Sequence, residues 1–236
     1  MVSRKKLYIT QSNLVTVEPI GPAQGTTFEE YAKGKNLFLT GSAGTGKTFV
    51  LLYLALKEVL DKETPYEQIV IVRSLLPSRE IGYLPGDLAE KSMLYQNSYR
   101  YLVRYLFEMP SEQEFDLLYD NLTSQGTIEF VSTSFLRGMT FDRSVVIADE
   151  CQNMTFQELD TITTRIGQDS KIMYAGDEGQ ADIHERDKHG YYNFQGIVDE
   201  MEEVEVIQFG IGDIVRSGFA RSYLIAKRNA GIRQET

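Results

Sequence analysis

Residues Gly41-Ser42-Ala43-Gly44-Thr45-Gly46-Lys47-Thr48 fit G-x-x-x-x-G-K-[ST] at every fixed position, and no other stretch constrains the fold so strongly. Before them runs Asn36-Leu37-Phe38-Leu39-Thr40, short, apolar and β-prone; after them Phe49 to Leu60 is an apolar run at helical length. Strand, glycine loop and helix in that order are the context a phosphate-binding loop requires. Glycines let the backbone turn tightly and aim successive N–H groups inward, and the helix behind adds about half a positive charge. Residues Gly41, Ser42, Ala43, Gly44, Thr45 and Gly46, with Phe49 just beyond, would then surround phosphate oxygens. Lys47 would supply a point charge to the β- and γ-phosphates, and the Thr48 hydroxyl would ligate Mg²⁺.

The rest of the chain supplies what such a loop needs around it. Ile69–Val72 reads as a buried strand, the continuous β-branched run of a parallel sheet covered on both faces, and Ile128–Val131, Val145–Ala148 and Lys171–Ala175 read as further strands. Between them lie helical stretches: 88–109, rich in Tyr, Leu and Met, whose aromatics read as packing; one capped by Ser111 with Glu114; and one capped by Thr155 with Glu158. Val204–Phe209 is an expected edge strand and Gly218–Asn229 a closing helix. Thr27-Phe28-Glu29-Glu30 fits a capping box, so a short helix is expected from there to about Lys33, stopped by Gly34. Residues 1–24, with β-prone pieces at Leu7–Thr10 and Leu14–Val17 and the turn Pro19-Ile20-Gly21-Pro22, read as an appendage or edge hairpin. Residues 25–236 read as one domain. Alternating strands and helices imply a three-layer α/β fold.

In such a sheet, ligands bind beyond the carboxyl ends of the strands. Asp149-Glu150 follows the fourth strand and Gly176-Asp177 the fifth. Asp149 closes four apolar residues, the Walker-B arrangement in which a carboxylate holds Mg²⁺, and Glu150 is the natural base for a water attacking the γ-phosphate. Asp177 and Gln180 are placed to sense that phosphate. Gln24 is either a reader of adenine through its amide or an ordinary exposed glutamine. Arg137, Arg165 and Arg216 are each an arginine finger or a plain surface charge. The chain lacks a guanine-reading [NT]-K-x-D motif, which favours ATP as the nucleotide. Its formal net charge of −10 argues against retention on nucleic acid or membrane by bulk charge, leaving a local basic groove as the alternative. The single cysteine, Cys151, precludes an internal disulfide and suits a reducing compartment. No apolar run is long enough to span a bilayer, and the expected location is cytoplasmic (a host's cytoplasm if the chain is phage-encoded).

Taken together these segments resemble the PhoH family, relatives of the ATPase core of superfamily-one helicases. The resemblance runs from about Gln24 onward and is carried by Gly41–Thr48, Gly82-Tyr83-Leu84-Pro85-Gly86-Asp87-Leu88, Leu136-Arg137-Gly138-Met139-Thr140, Asp149-Glu150-Cys151-Gln152-Asn153, Thr164-Arg165-Ile166-Gly167, Gly176-Asp177-x-x-Gln180-x-Asp182 and Asp213-Ile214-Val215-Arg216. It implies a P-loop NTPase with a mainly parallel, RecA-like sheet flanked by helices. It further implies Mg²⁺-dependent ATP hydrolysis, assembly into a homo-oligomeric ring, expected to be a hexamer, with sites at subunit interfaces, and helicase-like action on single-stranded RNA or DNA. Of the three arginines, Arg216 and Arg137 are the expected catalytic candidates. Cys151 stands where the family usually has Ala, and Ser42 where it usually has Pro. The loop after Arg73 and the residues after Asp182 also depart from the pattern, so partner choice is where the resemblance transfers least.

Two other classes compete with a remodelling ATPase. One is a nucleotide-switched assembly protein with little turnover. The other is a nucleoside kinase of the thymidine-kinase type, which also pairs a phosphate loop with Asp-Glu-x-Gln; its common forms bind zinc through several cysteines, against one here.

Overall fold

The computed structural model describes residues 9–74, 88–177 and 185–229. Its chain order is α1 (Pro22–Ala32), β1 (Asn36–Gly41), α2 (Lys47–Val59), β2 (Gln68–Arg73), α3 (Leu88–Leu106), α4 (Glu112–Ser124), β3 (Ile128–Ser132), β4 (Ser144–Asp149), α5 (Phe156–Thr163), β5 (Lys171–Ala175), α6 (Glu185–Val198), β6 (Val204–Phe209) and α7 (Gly218–Asn229). The six strands form one sheet in the order β3-β2-β4-β5-β1-β6, and every pairing is parallel. β6 is an edge strand, as its sequence implies.

Both faces of the central strands are covered, which is why β2 and β4 read as unbroken apolar runs, while the edge strands β3 and β6 are only partly buried. Leu37, Leu39, Ile69, Ile71, Val145, Ile147 and Met173 face one apolar layer, with side chains from α1 to α4. Phe38, Val70, Val72, Val146, Ala148, Ile172 and Tyr174 face the other, with Leu159 and Ile162 of α5 and Tyr191, Phe194 and Val198 of α6. The result is a three-layer, RecA-like architecture. Helix α2 is buried all round from Val50 to Leu56, the mark of a helix enclosed by its own protein. Each leucine so enclosed contributes about 1.5–3 kcal/mol.

Sequence and structure part company at the N-terminal side. Helix α1 starts at Pro22, with Gly21 as N-cap and proline at the first helical position. It therefore begins five residues before Thr27 and spans the junction at 24/25 between the expected appendage and the expected domain. Thr27 is not a cap. It is fully buried inside the helix, and its hydroxyl donates to Ala23 O at 2.7 Å. The N-terminal donor is satisfied from far away: the Ala23 N–H donates to Asp213 Oδ1 at 3.1 Å. No strand is present among residues 9–21. That segment lies over the core instead, with Ile9, Leu14, Val15 and Val17 packed inward and the Val15 N–H donating to Leu106 O. The Gly82–Asp87 part of the motif between β2 and α3 lies outside the described residues. No helix among the described residues is long and apolar enough to cross a membrane.

Candidate active site

Three strand ends converge because β5 lies between β4 and β1. The loop after β1, the Asp149-Glu150 pair ending β4, and Gly176-Asp177 after β5 therefore meet at one end of the sheet. They enclose a cavity of about 350 Å³ lined by Ala43–Thr48, Leu102, Asp149, Glu150, Ala175, Gly176, Asp177 and Arg216.

The loop is built by its glycines and held from behind. Gly41 has φ +113°, and a Cβ on it would lie 2.1 Å from the Phe209 carbonyl oxygen, so only glycine fits where β1 meets β6. The Gly44 carbonyl accepts from the Val215 N–H at 3.0 Å, which ties the loop to the segment carrying Arg216. Gln24 is 3% exposed. Its amide donates to Thr45 O at 2.9 Å and accepts from the Ile20 N–H at 3.0 Å. The structure thus uses Gln24 as a brace beneath the loop, and it is not part of the cavity wall. Phe49 likewise packs against the core and not into the cavity.

Lys47 Nζ donates to the carbonyls of Gly41 and Ser42, each at 2.9 Å. Burial pushes its pKa down, against the pull of Asp177, Glu150 and Asp149. Its hydrogen-bond acceptors are neutral, so the cation is positioned by its own loop and open to an incoming anion. The Thr48 hydroxyl donates to Asp149 Oδ1 at 2.8 Å, bringing the first turn of α2 and the end of β4 together. Asp149 Oδ2 accepts from the Tyr99 hydroxyl of α3, and Tyr99 is 1% exposed.

Glu150 sits at φ +54°, a left-handed conformation that a non-glycine residue holds only when its surroundings fix it. Gln152 Nε2 donates to Glu150 Oε2, and Gln152 Oε1 accepts from the Asp177 N–H at 3.0 Å. The other Glu150 oxygen lies 3.9 Å from Arg73 at the end of β2, and the Arg73 guanidinium stacks on Tyr95 of α3 at 4.5 Å. Burial, then the neighbouring Asp149 charge, raises the Glu150 pKa, which strengthens it as a base. Two adjacent acids in different settings can thus do different work. Asp149 has both oxygens hydrogen-bonded, while Glu150 is held by one amide, with Arg73 3.9 Å from its other oxygen, and reaches the cavity.

Arg216 lines the cavity from within the same chain: a Cβ on Gly44 would lie 3.0 Å from Arg216 Cγ. Arg137 is exposed in the loop before β4 and is not part of the cavity wall. Arg165 turns its Nε inward, with no hydrogen-bond partner among the described residues. Gln180 lies outside the described residues. Sequence reasoning missed Tyr99, Leu102 and Arg73. The available signal was the i, i+4 spacing of Tyr95 and Tyr99, which puts both on one face of a helix.

Thr48 and Asp149 fit a hard divalent cation: they offer adjacent oxygen donors beside a phosphate loop, and Mg²⁺ commonly takes one or two protein oxygens and completes its shell with phosphate and water. Among the described residues no group of three or more His, Cys, Asp or Glu could hold a metal without such help.

The family model described as "PhoH-like protein" matches residues 16–226. Protein PhoH of Escherichia coli (strain K12) is 32% identical over 192 residues, covering 80% of this chain and 52% of that protein. A PhoH-like protein of Synechocystis is 33% identical over 180 residues, covering 76% and 52%. The chain therefore spans about half the length of the curated relatives it matches. Among solved structures, the helicase domain of Pyrococcus furiosus Hef covers 81% of this chain and 38% of its own, at 12% identity and a TM-score of 0.44.

Proposed function

The chain belongs to the PhoH family, and from that premise we propose that it binds ATP with Mg²⁺ beside Gly41–Thr48 and hydrolyses it. The single observation behind this is the 2.8 Å Thr48–Asp149 bond, with Glu150 next in the chain and Lys47 across the same cavity. A nucleoside triphosphate needs that set together: loop amides, one ammonium, a metal-binding pair and a base.

In this reading Lys47 exchanges its two carbonyl acceptors for β- and γ-phosphate oxygens, a trade of neutral for charge-assisted hydrogen bonds. Thr48 and Asp149 would hold Mg²⁺, which when bound would offset charge on the phosphates. Glu150, oriented by Gln152, accepts a proton from the water that attacks the γ-phosphorus. The bond from that phosphorus to the bridging oxygen breaks, and ADP leaves with the bond's electron pair. Arg216, already on the wall, stabilises charge on the leaving oxygen. Asp177, tied to Gln152 through its N–H, links loss of phosphate to the loop after β5.

The wider reading is of a helicase-like ATPase acting on single-stranded RNA or DNA as a homo-oligomeric ring, expected to be a hexamer, in the cytoplasm. Support comes from the family resemblance and from the exposed Phe219 and Tyr223 on α7, which starts two residues after Arg216. The test is ATP turnover with single-stranded RNA, single-stranded DNA and no polymer, with mass measured in solution. Polymer-stimulated turnover by an oligomer is expected. Turnover without stimulation, or a monomer, would remove the remodelling or ring reading; absence of ATP binding would remove the whole.

A further inference from the structure

Helix α3 approaches the two acids with a single face. Tyr99 donates its hydroxyl to Asp149 Oδ2 from a fully buried position, packed beside Phe130 of β3 with ring centroids 5.3 Å apart. Four residues earlier, Tyr95 stacks on Arg73, which faces Glu150; three residues later, Leu102 lines the cavity. Turned the other way, Tyr101 and Tyr105 are 68% and 74% exposed. Packing alone would have been satisfied by phenylalanine at 99. The hydroxyl has one partner, and that partner is the carboxylate whose other oxygen accepts from Thr48.

We propose that Tyr99 is a positioning residue for Mg²⁺: its hydroxyl fixes the rotation of the Asp149 carboxylate so that Asp149 and Thr48 present their oxygens to the metal as a preformed pair. This rests on the reading of the cavity as an Mg²⁺–nucleotide site. Without the hydroxyl, Oδ2 is a buried acceptor with no donor and the carboxylate is free to turn, so metal must order it at each binding event.

The test uses the full chain and a fluorescent, non-hydrolysable ATP analogue, titrated across a series of Mg²⁺ concentrations and again in EDTA. Tyr99→Phe should raise the Mg²⁺ concentration for half-maximal binding about tenfold, the scale of one charged hydrogen bond, and leave affinity in EDTA within about twofold. Tyr95→Leu, which disturbs the same helix face without touching Asp149, should leave the Mg²⁺ requirement unchanged. An unaltered requirement in Tyr99→Phe overturns the proposal. So does an equal rise in Tyr95→Leu, or a Tyr99→Phe chain too unstable to fold, because either marks the bond as structural. Failure of the unaltered chain to bind the analogue at any Mg²⁺ concentration instead overturns the nucleotide reading and takes this one with it.

Discussion

Lys47 and Lys171 stand at opposite ends of one parallel sheet, and the fold handles their charges differently. Lys171 begins β5 and is 8% exposed. Its ammonium pairs with Glu58 at 3.2 Å and lies over the rings of Tyr31 and Tyr66 at 4.1 and 5.5 Å. Glu58 Oε2 and the Tyr31 hydroxyl have no hydrogen-bond partner among the described residues. Burial, then Glu58, pushes the Tyr31 hydroxyl well above its usual pKa. Lys47, at the carboxyl end of β1, touches two neutral carbonyls, and carboxylates act on it only through space. One cation is consumed by its own protein. The other is held in place and left chargeable from outside, which is what distinguishes a binding site from a buried ion pair.

The sharpest way to break this contrast is to remove each lysine in turn. Lys47→Ala should weaken binding of an ATP analogue by at least about 100-fold with little change in unfolding midpoint, since charge-assisted contacts to phosphate disappear; calorimetric titration and urea unfolding read the two halves. Glu150→Gln should retain binding and slow hydrolysis about 10²–10⁴-fold in a phosphate-release assay. Lys171→Met should do the reverse of Lys47→Ala. It strands the Glu58 carboxylate and costs about 2–4 kcal/mol of stability, while analogue affinity stays within twofold. If Lys171→Met abolished binding instead, the two ends would not be separable.

Two smaller effects sharpen the picture through pH. Because burial and Asp149 raise the Glu150 pKa, the free enzyme keeps this proton to a higher pH than a free glutamate would, so the acid limb of kcat/KM against pH should lie higher than a free glutamate would place it. For stability the sign runs the other way from a salt-bridged acid. The folded state holds this proton more tightly than the unfolded state, so stability falls as pH rises from the unfolded value through the folded one. Glu150→Gln should therefore unfold at slightly higher urea than the unaltered chain at pH 7, with the gap closing in acid.

Fold and site were legible to different depths, for physical reasons. Strands β2 and β4 announce themselves because a sheet covered on both faces demands unbroken apolar runs, whereas β3, at the edge, carries the exposed Glu129. Helices α4 and α5 announce their starts because Ser111 and Thr155 cap locally, each accepting from the N–H three residues on. Helix α1 ends at Lys33 and Gly34 as its sequence implies, but its start is not legible there because the donor at Ala23 is served by Asp213 from 190 positions away, and the capping pattern at Thr27 is only a coincidence of residue types. The phosphate loop, Asp149, Glu150, Asp177 and Arg216 all reach one cavity, since short motifs at strand ends carry their own geometry. Tyr99 was hidden among Tyr95, Tyr101 and Tyr105. Composition cannot separate a buried donor from exposed neighbours two and six residues away; only the seating of α3 does.

The Asp213 carboxylate closes a long circuit. It accepts from Ala23 at the start of α1 and from the Gly210 N–H at 2.9 Å, while α1 in turn supplies Gln24 beneath the loop. During synthesis the glycine loop leaves the ribosome well before the contacts that seat it, which arrive with residues near 210. Closing so wide a span before any reward is slow. The nascent chain must carry an unfinished phosphate cradle until those residues follow, and the ability to capture nucleotide should appear abruptly once β6 and Asp213 have emerged.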